Sequence, residues 1–228
     1  FLSLNSVRYY FALALAMVAM QHVIKGDYLK FLMMVLVGAC FHKSMLVVLV
    51  IYPLAKIKWK KWVLWLAAGF CVSLILFKNV YREIIFLFYP YYENSAFDNG
   101  DVSVVNILKS AAVILFAIIY YKQSIKDNDK NRFYLNLQIG ALIVYCFGSF
   151  IPETSRIGYY MNISMVFLIP GIITKISNKK QKLFFAFSIM TAFIVFFVVF
   201  LNSLYDINIR ILPYRSWIFD TIKILETK

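Results

Sequence analysis

Charged residues are scarce in this chain, at 15% of 228 residues, while 62% are hydrophobic and 18% aromatic. A soluble domain of this size could not hide that much apolar surface. Cysteine is also sparse. Cys40, Cys71 and Cys146 are odd in number, lack CxxC spacing and fall inside apolar stretches. That speaks against a disulfide framework and against a zinc site. Two histidines, His22 and His42, cannot build a metal site alone. There is no Walker loop, no GxGxxG and no nucleophile elbow, so the familiar soluble-enzyme signatures are missing. The chain opens on Phe1 with no signal-peptide pattern. The expectation is that the natural protein continues upstream and that this is its C-terminal part.

What is present comes in long apolar blocks rather than at amphipathic or period-2 spacing. That pattern predicts an all-α integral membrane protein, a polytopic helical bundle. Seven blocks can be marked, at 1–24, 31–55, 62–77, 104–121, 133–151, 157–174 and 183–201. Short links favour antiparallel neighbours. The first block starts early enough to place Asn5, Ser6 and Arg8 within a helix.

The net charge of +13 would suggest nucleic acid in a soluble protein. Here the cations sit in the links, which is a topology signal, and no nucleic acid is expected. Twelve Lys and Arg follow the second, fourth and sixth blocks, against five in the alternate links. The rich links belong in the cytoplasm, which puts the start of the chain there too. The 78–103 link and the 202–228 tail are then extracytoplasmic. The first half of that link, from Lys78, reads as a short amphipathic helix for the membrane interface. Tyr205, Tyr214 and Trp217 in the tail suit the headgroup layer.

Polar residues within the blocks carry the chemistry. Asp127-Asn128-Asp129 has a D-x-D shape, but in a lysine-laced link it reads as a polar turn. His42 lies in the middle of the 31–55 block, where an ionisable group is costly unless it faces protein or a water-filled cavity. It suits a general base or a hydrogen-bond donor to phosphate. Lys43 points elsewhere on a helix and suits snorkelling; Ser44 suits helix packing. Asn5 and Arg8 share a helix face. Arg8 reads either as a helix-end anchor or as a guanidinium that clamps phosphate. Arg156 follows a very short link and leads into a helix bearing Tyr159, Tyr160 and Asn162. A membrane-mouth arginine backed by polar aromatics suits an anionic, sugar-bearing lipid. The competing reading is a Glu153–Arg156 surface pair of little worth.

Three stretches, together with the ending of the chain, carry a family resemblance. NSVRYYFALALAMVAM resembles an N-x-x-R-x-x-x-A helix start, with Tyr9 where glutamine is common. GACFHKSMLVVL is similar to an A-x-x-F-H-x-S segment. SRIGYYMNI is like an arginine–tyrosine helix start, and LPYRSWIF resembles a proline–tyrosine tail. Together they resemble the EpsG family, Wzy-type polymerases of bacterial capsule, exopolysaccharide and O-antigen glycans. The family's earlier helices, with an acidic, tyrosine-bearing outer loop, lie outside this sequence.

The resemblance implies chemistry at the outer face of the bacterial cytoplasmic (inner) membrane. A glycan would move from its undecaprenyl-diphosphate carrier to a sugar hydroxyl on the next unit, with no nucleotide and no obligatory metal or other cofactor. Besides the lipid bilayer, the implied partners are a chain-length regulator and a flippase of the same pathway. The diphosphate calls for arginine, which makes Arg156, Arg8, Arg210 and Arg215 candidates. The accepting hydroxyl calls for a base, which makes His42 a candidate. One conflict stands at this level. The block topology puts Arg8 near the cytoplasm, away from an outward site, so either a cavity runs deep, or Arg8 is structural, or the first helix is misplaced. Two other classes fit the same composition: a flippase or transporter of lipid-linked oligosaccharide, and an integral-membrane acyltransferase.

Overall fold

The structure is a computed structural model and describes residues 2–58, 61–88, 90, 93, 103–147 and 153–203. Every regular element among them is helical: α1 (Leu2–Lys25), α2 (Tyr28–Phe41), a 3-10 helix (Lys43–Val47), α3 (Val48–Lys56), α4 (Lys61–Leu76), α5 (Lys78–Phe88), α6 (Val104–Ile119), α7 (Tyr121–Ser124), α8 (Asp129–Cys146), α9 (Glu153–Asn162), α10 (Met165–Lys175) and α11 (Lys179–Ser203). The chain forms two compact units, 1–176 and 177–228; α11 belongs to the second. Among the described residues three stretches are long and apolar enough to cross a membrane: Val7–Lys25, Arg156–Lys175 and Lys179–Val199. The α4–α5 pair would be a fourth, bent by 87°. The described residues therefore do not confirm seven full spans, and the block at 31–55 shows why.

That block is not one continuous helix. It is a helical hairpin. α1 ends in a Schellman-type cap, with Asp27 N–H on His22 O at 2.9 Å and Gly26 at φ +83°. The turn sends α2 back along α1. α2 stops at Phe41, His42 turns extended at φ −150°, ψ 116°, and α3 returns beside α2. Phe31, near the start of α2, stacks on Tyr52, near the end of α3, with centroids 6.4 Å apart. Lys56 Nζ, at the end of α3, donates to Val23 O at 2.8 Å and to Tyr28 Oη at 3.3 Å. Both feet of the hairpin therefore stand at one end of the first unit. At the tip a Cβ on Gly38 would lie 2.9 Å from Met45 Cγ, so the turn closes tightly only around glycine. A 14-residue α2 raises the tip roughly 21 Å above its feet.

The sequence reading put the Lys25–Lys30 link opposite the Lys56–Lys61 link. The structure puts both at one end. Lys58 pairs with Asp129 at 3.5 Å, and Asn136 Nδ2 reaches Ala55 O at 2.8 Å. Lys130 and Lys175 line a hollow of about 500 Å³ at this end, together with Gln123, Ser124, Asp127, Asn128 and Asp129. The correction also moves the start of α1 to the other end. A continuous apolar run gives no sign of direction, so a turn inside it reads as a crossing.

α8 is the centre of the unit. It is buried nearly all round, from Asn131 to Cys146, and packs against α3, α4, α6, α9 and α10. Its polar side chains mend helix ends elsewhere. The clearest case is the break between α9 and α10. There the ladder tightens to i→i−3 bonds, Ser164 N–H to Met161 O and Val166 N–H to Ile163 O, both 3.1 Å. The carbonyls of Tyr160 and Asn162 accept instead from Tyr52 Oη–H at 2.8 Å and Gln138 Nε2–H at 2.7 Å. Gln138 Nε2 also donates to Ser164 Oγ at 2.9 Å. Unpaired carbonyls at such a site would be costly.

At the opposite end α5 turns away from α4. Val80, Ile84, Leu87 and Phe88 are exposed along one stripe, while Lys78, Asn79 and Glu83 lie on the other. Arg82 covers the Phe86 ring at 4.9 Å, and Tyr81 Oη bonds Ser73 Oγ of α4 at 3.1 Å. This is the amphipathic helix expected from the sequence. Beneath it Cys71 and Cys146 pack together with Leu74. Oxidative cross-linking of a Cys40→Ser variant, cleaved at a protease site placed in the 94–102 link, is expected to leave the two fragments joined. Fragments that separate on a non-reducing gel would mean that α4 and α8 do not meet as described.

Candidate functional site

His42 sits at the hairpin tip, where its extended backbone closes α2 and its side chain caps the start of the 3-10 helix. Its N–H still bonds Gly38 O, and its carbonyl already accepts from Met45 N–H, both at 3.0 Å. Its Nδ1 accepts from Ser44 N–H at 3.4 Å, the N-cap role more often filled by Ser, Thr or Asp. Ser44 Oγ lies 2.6 Å from the same Nδ1. The F-H-K-S order thus has a local cause: a capping residue and, two positions on, the hydroxyl that shares its acceptor.

Two other segments close on this tip. Tyr160 of α9, fully buried, places its hydroxyl 3.1 Å from Ser44 Oγ. Tyr9 of α1 packs edge-on against both His42 and Tyr160, with centroids 5.3 and 5.5 Å apart. Its hydroxyl donates to Arg156 O at 3.0 Å. Arg156 itself is half-buried and close enough to act electrostatically on the Tyr160 hydroxyl. The result is a continuous polar line, Tyr160–Ser44–His42, with an arginine beside one end and an aromatic wall along it.

The sequence candidates divide on this geometry. His42, Arg156 and Tyr160 are brought together. Tyr159 is half-exposed and faces Tyr145, with centroids 6.5 Å apart, so it does not join the line. Arg8 is exposed and precedes Tyr9, whose bond to Arg156 sets the start of α1 level with the start of α9. Arg8 therefore lies at the same end of the unit as Arg156. Asn5 lies in α1, but its side chain is outside the described residues, as are Arg210 and Arg215. Lys43 is exposed. Asp127-Asn128-Asp129 is the polar turn expected: Asn128 Oδ1 caps α8 through Lys130 N–H and Asn131 N–H, and Asp129 pairs with Lys58 and Arg132. Among the described residues no three His, Cys, Asp or Glu side chains gather as metal ligands.

Sequence reasoning undervalued Ser44 and missed Tyr9, Tyr52 and Gln138 as parts of the site. The one available signal was the spacing of Ser44 from His42. The three stretches that meet here are those around Asn5–Tyr10, Phe41–Ser44 and Arg156–Tyr160. A profile of the EpsG family matches residues 1–216.

The chain belongs to the EpsG family. No curated protein and no solved structure matches it. Family membership, together with the apolar helices, makes it a membrane protein of polysaccharide biosynthesis. Within that setting the EpsG chain turns an apolar hairpin inward to present a histidine, with Tyr9 and Tyr160 packed at it and Arg156 beside Tyr160. Non-helical backbone at membrane depth is tolerated where it is buried in protein or lines a cavity, and the 42–47 turn is packed against α1 and α9 in that way.

Proposed function

We propose that this EpsG-family chain polymerises undecaprenyl-diphosphate-linked oligosaccharide units at the outer face of the bacterial cytoplasmic membrane, as a multi-pass protein. One observation carries the reading: the segments holding Tyr9, His42–Ser44 and Arg156–Tyr160, distant in sequence, form one hydrogen-bonded site. The positive-inside rule puts the lysine-bearing end in the cytoplasm. The site then lies near the outer face, because the tip stands roughly 21 Å into a hydrocarbon core of about 30 Å.

In this reading Arg156 holds the diphosphate as a fixed, delocalised cation. His42 acts on the reacting groups. Tyr9 and Tyr160 offer aromatic faces and hydroxyls to the first sugars. Arg8, Asn5, Tyr159 and Arg215 remain candidates for the outer rim of the substrate site. The whole pathway would supply a flippase upstream and a chain-length regulator beside the polymerase.

The glycan profile of a deletion strain tests this. Complementation with the full-length gene is expected to restore long chains. The His42→Ala version is expected to leave single lipid-linked units outside the membrane. A broken helix such as α9–α10 at the site is also a feature of transporters, which is the specific support for a flippase as the second reading. Units trapped on the cytoplasmic face would favour that reading and remove the polymerase.

A further inference from the structure

The hairpin tip decides how His42 can act. A backbone N–H always donates, so the Ser44 N–H on Nδ1 at 3.4 Å makes Nδ1 an acceptor. A proton on Nδ1 would face that N–H directly. The 2.6 Å contact with Ser44 Oγ must then run from the hydroxyl to Nδ1. With its hydrogen so committed, Ser44 Oγ accepts from the Tyr160 hydroxyl at 3.1 Å. The order is Tyr160 Oη–H to Ser44 Oγ–H to His42 Nδ1. A neutral imidazole carries one ring proton, and here that proton belongs on Nε2.

We propose that His42 works as a hydrogen-bond donor, through Nε2–H, to an anionic oxygen of the lipid diphosphate, and that Ser44 and Tyr160 are positioning residues that fix this tautomer. This rests on the polymerase reading above, and it replaces the general-base role for His42. In the transfer, the bond between the sugar anomeric carbon and the diphosphate oxygen breaks. Its electron pair goes to the diphosphate. The hydroxyl of the next unit forms the new carbon–oxygen bond, and its proton ends on the released diphosphate. The charge growing on the departing oxygen is what an N–H donor and the Arg156 guanidinium stabilise. The capping arrangement makes the donor stiff before substrate arrives: the ring orientation is set by the same bonds that start the 3-10 helix.

Glutamine places a donor nitrogen near the position of imidazole Nε2 and cannot serve as a base, so His42→Gln separates the roles. In membranes of the complemented deletion strain, His42→Ala is expected to lower polymer yield by about 100-fold or more, and His42→Gln to keep roughly a tenth or more of it. Equal loss in both, at normal membrane levels, overturns the donor role. Full polymer from both overturns instead the assignment of the site, and with it the reading on which the proposal rests. A second measurement does not depend on activity. The sequence has two histidines, so ring-¹⁵N-labelled protein in micelles gives a spectrum that a His22→Asn variant assigns. His42 is expected in the Nε2–H form, and Ser44→Ala is expected to mix the tautomers while Ser44→Thr restores the single form. A resting Nδ1–H ring in the unsubstituted protein would overturn the proposal.

Discussion

Arg156→Ala is expected to abolish long-chain polymer while the protein still inserts at its normal level. The backbone role of this residue survives the change, because Tyr9 bonds its carbonyl and not its side chain. What is lost is the guanidinium beside the Tyr160–Ser44–His42 line. Removing one preorganised group that stabilises developing charge typically costs about 10²–10³ in rate. Arg156→Lys keeps the charge but not the planar fork, and is expected to recover only part of the yield. Gel analysis of lipid-linked glycan, with the amount of membrane protein measured in parallel, decides it. Full-length chains from Arg156→Ala would remove the residue from the site.

The second large effect concerns the α9–α10 break that holds Tyr160 in place. Tyr52→Phe deletes the donor to Tyr160 O, and Gln138→Leu deletes the donor to Asn162 O and Ser164 Oγ. Each change leaves a buried acceptor unpaired, at a cost of about 1–3 kcal/mol. The two carbonyls belong to the same break, so the double variant is expected to lose more than either single variant, though not simply their sum. Among the described residues Gln138 Oε1 has no hydrogen-bond partner, so leucine recovers a little of its own cost. The expected result is a lower melting point in detergent for each variant, a larger drop for the double variant, and loss of polymer as Tyr160 shifts from Ser44. An unchanged melting point in the double variant would mean that these side chains do not hold the break.

Much of this was legible in the sequence. The apolar blocks foretold helices near α1, α4, α6, α8 and α11, and the amphipathic face of α5 could be read from Lys78 onward. His42, Arg156 and Tyr160 were singled out because ionisable and polar groups inside apolar stretches need a reason to be there. The hairpin was not legible. Twenty-odd apolar residues satisfy the same solvent whether the chain crosses or turns back, and hydropathy has no direction. The clues were small: Gly38 set against Met45, and a histidine two residues before a serine. The helix-mending amides were hidden for another reason. Asn136 and Gln138 look like ordinary polar positions in α8, and their partners, Ala55 and Asn162, are far away in the chain.

The central claim is that residues 28–56 enter and leave at one end, which is what carries His42 to the level of Arg156. Single cysteines at Lys30 and Lys58, in a background with Cys40, Cys71 and Cys146 changed to serine, test it directly with a membrane-impermeant maleimide. Both positions are expected to be protected in intact cells and to react in inverted vesicles. Reaction of one from outside and the other from inside would show that this stretch crosses the membrane, and the site built on the hairpin would fall with it.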